Sequence, residues 1–435
     1  MEGVAISTET TPKNVFVLGL DELNLQSLHE LPHLSRYRFH LLLRVDDLVN
    51  PTDLDLPELL ERAQRELESF DGRIDAIMGY WDFPVSSMVP ILAHRFGLPS
   101  PPLESVLKCE HKYWCRLEQQ QLIDEHPGFG LVDLAEHDPR PPEGLRMPMW
   151  LKPVKSFSSD LAYKVHDERE FAEAAQAIRD GIGHIGKAFD DVLGLADLPK
   201  EIADIGGQAC LAEEAVGGQQ VTVEGYSTSE GAHVYGVIDS HNYDGTSSFL
   251  RYQYPSKLPE QVQDKLVRVS ERLIDGLGLK PSTFNIEYFR DPETDELNVL
   301  EVNPRLSQSH DWLFECVDGV PNHLCMTQLA LGEQPGLPRG EGEFRIAGKW
   351  FLRRFADGLV RRVPSAQDIE RISVEVPGTQ AIDVVPRVGD RLSDLPGQDS
   401  YSYELASVFI GADDQQQLEQ RYQQVVDVLP FEFDE

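Results

Sequence analysis

Residues 284–289 (FNIEYF) and 299–305 (VLEVNPR) lie on either side of a short charged turn. Each stretch alternates polar with apolar residues, which is the pattern of a β-hairpin with one buried face. Glu301 and Asn303 are two residues apart and therefore share a face, and Glu287 can reach that face from the other strand. The hairpin is thus predicted to bring three oxygen-bearing side chains together.

These side chains have the chemistry of a site for a hard cation. Desolvating Glu287 beside Glu301 is unfavourable unless a cation compensates, and Mg²⁺ is the natural occupant because it prefers oxygen ligands such as these and Asn303. Arg305 would add a cationic donor suited to the oxygens of a transferring phosphoryl group. The alternative is an ordinary exposed hairpin face that carries two acids and an amide.

The composition limits the class of protein. A chain of 435 residues is expected to form roughly three domains, and 41% hydrophobic residues suffice for packed cores. The net charge of -35 disfavours nucleic acids and anionic membranes as partners. The N-terminus lacks an apolar signal segment and no run approaches about 20 apolar residues, so we expect a cytoplasmic protein. The five cysteines show no CxxC spacing, which predicts buried free thiols rather than a metal cluster.

The first hundred residues have the pattern of a small doubly wound α/β unit. Three short apolar runs, at 14–20, 38–45 and 75–80, are typical of strands buried on both faces. Between them, residues 56–70 carry apolar side chains at helical spacing. The turn that begins at Gly19 lacks GxGxxG, so we do not expect it to bind a dinucleotide.

The rest of the chain divides at glycine- and proline-rich segments. A proline cluster at 99–102 predicts one boundary, and residues 332–342 (GEQPGLPRGEG) predict a linker or rim loop. Helices and strands alternate between them, with an Asp/Gly-rich insertion near 188–207. Beyond the linker the pattern indicates a compact α+β cap. It consists of two alternating runs and a closing amphipathic helix, at 372–376, 405–410 and 415–428.

With these features the sequence resembles the ATP-grasp superfamily over nearly all of its length, with a layout similar to D-alanyl-D-alanine ligase, bacterial L-amino-acid ligases and biotin carboxylase. The resemblance implies a combined α/β and α+β fold. An N-terminal α/β (pre-ATP-grasp) domain would occupy 1–105, and a two-lobed ATP-grasp domain 106–335. Its small nucleotide-clamp lobe would span about 145–218, and a C-terminal α+β domain would occupy 336–435.

The resemblance also implies roles for individual residues. In this superfamily a hairpin of the form E…ExN holds two Mg²⁺ ions against the phosphates of ATP, and Glu287, Glu301 and Asn303 match it. Mn²⁺ could serve in place of Mg²⁺. Lys112 enters a helix and Lys152 ends an apolar strand, where the family has its nucleotide-contacting lysines.

The loop after the second lysine departs from the family. The family has a Gly/Ser-rich loop that folds over the phosphates, whereas residues 156–160 of this chain read SFSSD. Without glycine a close backbone approach to phosphate is harder, so the hydroxyls of Ser158 and Ser159 are expected to carry more of the contact. The loop should be mobile without nucleotide, since a lid must open to admit ATP.

Residues 210–223 resemble the interdomain hinge against which adenine lies. Glu213, Glu214 and Val216 are expected to contact the adenine edge, chiefly through the backbone of the last two. Many relatives carry an acid for the ribose hydroxyls where this chain has Gln220. An amide can still hydrogen-bond a diol, so ATP remains the expected nucleotide.

The resemblance implies phosphoryl transfer from ATP to a carboxylate, with Arg305 as the catalytic residue, followed by attack of a nucleophile on the acyl phosphate. Biotin carboxylase has a catalytic carboxylate four residues beyond this arginine, where Ser309 stands here, which disfavours bicarbonate chemistry. Ser307, Ser309 and His310 are candidates for the acceptor pocket, although Ser309 would serve equally well as a helix N-cap.

Three further residues lie where relatives recognise substrate: Asp239, His241 and Arg251. A solvated loop position is the alternative for each. The leading prediction is a carboxylate–amine ligase that acts on small molecules, with a homodimer as one form of assembly. The alternatives are a ligase to a non-amine acceptor or a carboxylase, and a non-catalytic nucleotide-binding protein.

Overall fold

The computed structural model describes residues 11–49, 54–136, 138–156, 161–395 and 401–434. Within these ranges the strands form four sheets, of three, four, eight and two strands. The predicted combination of α/β and α+β structure is confirmed.

The N-terminal unit is the predicted doubly wound α/β structure. Its elements are β1 (Lys13–Leu18), α1 (Glu22–His29), β2 (Tyr37–Leu42), α2 (Val45–Leu48), α3 (Leu56–Glu68), β3 (Ala76–Met78) and α4 (Val85–Arg95). The strands are parallel, in the order β2-β1-β3. Helix α3 begins after Asp55, which caps it by accepting a hydrogen bond from the Glu58 N–H, and it buries an apolar face against the unit.

The next unit is built on an antiparallel sheet of four strands in the order β4-β7-β5-β6. Its elements are α5 (Leu103–Glu110), α6 (Lys112–Leu122), β4 (Phe129–Val132), β5 (Met149–Pro153), β6 (Tyr163–Val165), α7 (Glu168–Gly181), α8 (Gly183–Leu193), α9 (Lys200–Ile205) and β7 (Cys210–Glu214). The predicted insertion at 188–207 lies largely in α8 and α9. Phe189 and Ile202 of these helices are buried in one apolar cluster with the N-terminal unit, so the segment is part of the core.

The largest sheet has eight strands in the order β12-β11-β8-β9-β10-β13-β16-β15. Its first half comprises β8 (Gln219–Thr228), β9 (Gly231–Asn242), β10 (Phe249–Tyr254), α10 (Glu260–Leu277), β11 (Ser282–Arg290), β12 (Leu297–Asn303), α11 (Asp311–Asp318) and α12 (His323–Ala330). The second half comprises β13 (Ile346–Arg354), β14 (Leu359–Arg362), α13 (Ala366–Glu375), β15 (Thr379–Val384), β16 (Tyr403–Ala412), α14 (Gln415–Val428) and β17 (Glu432–Asp434). β14 and β17 form the sheet of two strands.

The large sheet continues across the predicted boundary at residue 335. Residues 332–342 contain no helix or strand, as predicted, but β10 pairs with β13 on the other side of this segment. Residues on both sides of the linker therefore share one hydrogen-bonded sheet. The domain limits themselves stay predictions.

The C-terminal helix α14 and strand β16 lie where the sequence predicts them. The alternating run at 372–376, in contrast, falls in helix α13 and its cap rather than in a strand. Ser365 and Asp368 form a capping box that starts this helix, and Ile369 and Ile372 face the core at helical spacing. The capping signal therefore outweighs the short alternation.

Two further findings concern the sequence as a whole. All five cysteines are buried free thiols, as predicted. No helix among the described residues combines the length and apolar character needed to cross a bilayer.

The capping box gives a first prediction. Replacing Ser365 by Ala removes the acceptor for the Asp368 N–H, so we expect the free energy of unfolding to fall by about 0.5–2 kcal/mol. Urea unfolding measures the loss. Ser365→Thr keeps the hydroxyl and should retain most of the stability; an equal loss in both variants would contradict a capping role.

Candidate active site

Strands β11 and β12 form the predicted hairpin, and their register sets which side chains meet. Glu287 lies opposite Glu301, and Asn285 lies opposite Asn303. Directly opposed residues of an antiparallel pair project to one face, so the two acids and the amides share a surface. Asn285 and Asn303 are buried, which excludes an ordinary exposed hairpin face. The register shifts after Glu287, which leaves Leu300 as an extra residue on β12.

Each of the two acids has one nitrogen partner. Gln220 Nε2 donates to Glu287 Oε2 at 2.8 Å, and Lys112 Nζ lies 2.8 Å from Glu301 Oε1. Burial and the charge of Glu301 raise the pKa of Glu287 to about 7. Desolvation also opposes ionisation of Glu301, but the ammonium groups of Lys112 and Lys152 together outweigh it and lower the pKa of Glu301. The pair thus lacks enough positive charge for both acids to ionise readily.

The opposed acids and the neighbouring amide fit a Mg²⁺ site. Asn303 uses its Nδ2 to donate to Asn285 Oδ1 at 3.0 Å, and this bond does not use the Asn303 side-chain oxygen. Two carboxylates and one amide oxygen form a donor set typical for Mg²⁺. Within the described ranges, no group of three or more His, Cys, Asp or Glu side chains is arranged to hold a metal. The hairpin supplies only two acids together with the Asn303 amide, so it does not count as such a group.

A buried network holds the predicted lysine of β5. Glu213 accepts from Lys152 Nζ at 2.7 Å and from Arg116 Nε at 2.7 Å. Burial alone would raise the pKa of Glu213, but the charges of Arg116 and Lys152 prevail and lower it to about 2. Arg116 also donates through Nη2 to the carbonyl of Leu300, the extra residue of β12, at 2.9 Å. The Glu213 side chain therefore orients Lys152 and links the small sheet to the hairpin.

Lys112 connects the same two regions through its backbone and its side chain. It is the first residue of α6, and its N–H donates to the carbonyl of Val154, just after β5, at 2.8 Å. Its Nζ donates to the carbonyl of Ser156 at 2.6 Å while it pairs with Glu301. Ser158 and Ser159 lie outside the described residues.

Arg305 is held by an acid from the N-terminal unit that the sequence analysis missed. Its Nε donates to Asp82 Oδ1 at 2.8 Å and its Nη2 to Asp82 Oδ2 at 2.7 Å, which is a bidentate pair. Asp82 follows β3 at the carboxyl end of a parallel sheet, where such folds place functional residues. That position is a signal from which Asp82 could have been predicted.

A second missed residue is Lys155, three positions after Lys152. Its ammonium contacts the Glu110 carboxylate and lies 5.5 Å from the centre of the Phe83 ring. Burial lowers the pKa of Lys155 to about 8. Its spacing from Lys152 in the sequence gave no reason to predict Lys155 as a residue of the site.

Two residues of the predicted hinge, Glu214 and Gly218, have contacts that define their roles. The Glu214 side chain forms an ion pair at the surface, and the backbone conformation at Gly218 requires a glycine. Glu214 Oε1 accepts from Arg146 Nε at 3.0 Å, at the surface. In the described part of the chain the Val216 N–H has no hydrogen-bond partner. Gly218 has a φ of 129°, and a Cβ there would lie 2.2 Å from the Arg290 carbonyl oxygen, so no other residue fits without a shift.

The predicted substrate residues of β9 and β10 are engaged within the protein. Both oxygens of Asp239 accept hydrogen bonds, from Ser256 Oγ at 2.6 Å and from the Lys257 N–H at 2.7 Å. Arg251 reaches Glu419 of α14 at 3.4 Å, and its guanidinium lies over the Trp350 ring. These contacts give Asp239 and Arg251 structural partners and do not bring them to the hairpin acids.

His241 also belongs to this group. Burial and the neighbouring Arg251 charge lower the pKa of His241, and its Nε2 is buried without a partner among the described residues.

The segment after Arg305 is anchored by a fully buried acid that the sequence analysis missed. Glu224 Oε1 accepts from the Ser307 N–H at 3.1 Å and lies 2.9 Å from His310 Nδ1. Burial raises the pKa of Glu224 well above its ordinary value. Ser309 Oγ accepts from Lys349 Nζ at 3.4 Å. An acid within an apolar strand was a signal that could have identified Glu224.

Comparison with known proteins gives a family match and several relatives. Residues 145–310 match the family model of the ATP-grasp domain. The uncharacterized protein y4rH of Sinorhizobium fredii is 26% identical over 376 residues, which are 81% of this chain and 70% of that protein. Carnosine synthase 1 of Gallus gallus is 28% identical over 294 residues, 64% of this chain but only 30% of that enzyme. This chain thus spans under a third of carnosine synthase 1.

Among solved structures, the L-amino acid ligase from Bacillus licheniformis superposes with a TM-score of 0.72. The superposition covers 98% of this chain and 100% of that one, at 16% sequence identity. At this identity the likeness is one of fold, and it extends over the whole arrangement of units described above.

The Glu213 network predicts a pH-dependent loss of stability. Replacing Glu213 by Gln leaves Lys152 and Arg116 without their buried counterion, so we expect unfolding to become easier by about 3–5 kcal/mol at neutral pH. The folded pKa of about 2 lies below the ordinary 4.5. The carboxylate therefore stabilises the fold above about pH 4.5 and loses this effect as the pH falls toward 2.

Thermal unfolding of the wild type and of Glu213→Gln at several pH values measures this effect. The difference in Tm should be constant above about pH 4.5 and should shrink as the pH falls from there toward 2. Glu201→Gln is the control, because Glu201 is exposed and accepts a hydrogen bond from the Tyr113 hydroxyl rather than from a buried cation. A difference in Tm for Glu213→Gln that is independent of pH would contradict the network.

Proposed function

Because this chain carries an ATP-grasp domain, we propose that it is an ATP-dependent ligase that activates a carboxylate as an acyl phosphate and joins it to an amine. One observation carries the proposal: Glu287 and Glu301 oppose each other, Lys112 pairs with Glu301, and the charges of Arg305 and Lys152 act on these acids to lower the pKa of Glu287 and of Glu301, respectively. This is the combination of acids and cations that a metal-bound nucleotide requires.

In this proposal Glu287, Glu301 and Asn303 hold Mg²⁺, with two ions as the expected number and Mn²⁺ as a substitute. The raised pKa of Glu287 supports the assignment, because the opposed acids leave a deficit of positive charge that a divalent cation removes. Bound Mg²⁺ would supply neutralisation of charge on the phosphate oxygens.

The protein side chains would bind and orient the reactants. Lys112 and Lys152 donate to the phosphates of ATP, and Arg305 faces the phosphoryl group in transfer. Asp82 fixes the guanidinium plane of Arg305 by two hydrogen bonds, so little reorganisation is needed when charge develops. The N–H of Val216, which has no partner among the described residues, would donate to the adenine edge.

The amine acceptor is supported by the relatives and by one residue. One solved neighbour is an L-amino acid ligase and one relative is a carnosine synthase. Ser309 stands where biotin carboxylase carries a catalytic acid, and its hydroxyl is engaged by Lys349. This position has no carboxylate for bicarbonate chemistry.

The direct test is a screen of amino acids, singly and in pairs, for phosphate and ADP release from ATP with Mg²⁺. The proposal expects release that requires both a carboxylate and an amine. Release with a thiol but with no amine would indicate another acceptor, and no release with any acceptor would indicate a non-catalytic nucleotide-binding protein.

The metal assignment predicts the effect of removing one ligand. Glu301→Ala and Asn303→Ala should abolish turnover, because these side chains serve the bound ion. Asn303→Ala should also lower the Tm, because it removes the donor to the buried Asn285 Oδ1. Steady-state phosphate release measures turnover. Glu296→Ala removes an exposed acid from the turn of the same hairpin and should be fully active. Retained activity in Glu301→Ala would refute the assignment.

The nucleotide assignment predicts the effect of removing a lysine. Lys152→Met should weaken ATP binding by about 1.5–3 kcal/mol, the contribution of a hydrogen bond to a charged group. Calorimetry measures the affinity. Lys164→Met, on the exposed neighbouring strand β6, is the matched control and should bind ATP normally. Equal affinity in both variants would place Lys152 outside the nucleotide site.

A further inference from the structure

Lys349 of β13 is a cation that no acid of the described chain pairs with. Its Nζ donates to Ser309 Oγ at 3.4 Å and lies 5.2 and 5.3 Å from the ring centres of Phe351 and Phe409. Burial lowers the pKa of Lys349, and the acids that act in the opposite direction do so without an ion pair to its ammonium in the described ranges.

Lys349 differs in this respect from the other lysines of the candidate active site, which contact acids. Lys112 pairs with Glu301, Lys152 pairs with Glu213, and Lys155 contacts Glu110. The charges of Glu404, Asp311 and Asp383 act on Lys349, but none of these acids forms an ion pair with its ammonium among the described residues. Lys349 is half-buried, and an ammonium with no ion pair in such a place is free to bind an anion that arrives from outside the protein.

The surroundings of Lys349 connect it to the candidate active site. The Tyr252 ring lies 5.0 Å from the Phe351 ring and 5.2 Å from the His310 ring. Burial raises the pKa of Tyr252, and the charge of Glu287 adds to this effect, so Tyr252 lies near the hairpin acids. Tyr252 also lies directly opposite Lys349 in the register of β10 and β13.

The segment that follows Arg305 also lies beside Lys349. Ser309 lies four residues beyond Arg305, and the adjacent His310 is fixed by Glu224 at 2.9 Å. Lys349, in the C-terminal half of the large sheet, thus contacts the segment that follows Arg305.

We propose that Lys349 Nζ and Ser309 Oγ bind the carboxylate of the amine substrate. This inference rests on the proposed function and narrows its substrate class: the acceptor is an amino acid or a short peptide rather than a simple amine. One ammonium and one hydroxyl match a monoanion. The carboxylate that is activated must instead face Arg305 and the phosphates, so the anion at Lys349 is the one that does not react.

The experiment compares Lys349→Met with the wild type. Met keeps the apolar stem over the two rings and removes only the charge. Lys200→Met is the matched control, because Lys200 has a 92% exposed side chain. The probes are the twenty common L-amino acids, followed by the carboxamide of each one that binds, with ATP and Mg²⁺ present. Calorimetry measures binding, and phosphate release measures the KM for the amine.

We expect the wild type to bind the amino acid about ten- to hundredfold more tightly than its carboxamide, as for a hydrogen bond to a charged group. Lys349→Met should lose this preference through weaker binding of the amino acid, with the KM for ATP and the Tm unchanged. Lys200→Met should keep it. Equal binding of amino acid and carboxamide by the wild type would overturn the inference, as would a preference retained in Lys349→Met.

Failure of the proposed function would look different. A wild type that binds amino acids through Lys349 but releases no phosphate with any of them would support the carboxylate site and contradict the ligase. Phosphate release that depends on an amine but is indifferent to Lys349→Met would support the ligase and overturn the carboxylate site.

Discussion

The need to compensate desolvated charge governs the arrangement of the candidate active site. Acids and bases from different parts of the chain are removed from bulk water there, and each must find a partner to remain charged. Asp82 with Arg305 joins the N-terminal unit to the end of the hairpin, and Glu213 with Lys152 and Arg116 joins the small sheet to α6. The charges that would serve the nucleotide thus also connect the units of the fold.

This dual use explains why the site can be preorganised. Asp82 holds the Arg305 guanidinium through two hydrogen bonds, and the hairpin register fixes Glu287 opposite Glu301. Groups that are already oriented do not have to reorganise as charge develops on a phosphoryl group, and this is the main source of electrostatic catalysis. The two hairpin acids have too little positive charge around them, and a divalent ion would supply it without any change in the arrangement.

The sequence predicted those features that are encoded locally. Alternation over two short runs identifies the hairpin and the face shared by its acids, and helical spacing identifies α3 and α14. The run at 372–376 misled because five residues of alternation are weaker than the capping box of α13. The resemblance to a known family supplied the role of the lysines, which spacing alone could not.

Contacts between residues that are distant in the sequence could not be predicted from local sequence patterns. Nothing near Asp82 indicates that it meets Arg305, which lies far along the chain, and nothing near Asp239 indicates that Ser256 engages it. Lys349 lies in an ordinary strand, and only the fold shows that no acid among the described residues forms an ion pair with its ammonium. Such contacts depend on how the sheets pack, which local patterns do not determine.

The central claim is that ATP activates a carboxylate as an acyl phosphate, and an isotope measurement tests it most directly. The carboxylate substrate is labelled with heavy oxygen (¹⁸O) in its carboxyl group, and the phosphate released during ligation is analysed by mass spectrometry. An acyl phosphate transfers one of these oxygens to phosphate when the amine displaces it, so labelled phosphate should appear in step with product. Product formed together with unlabelled phosphate would contradict the account.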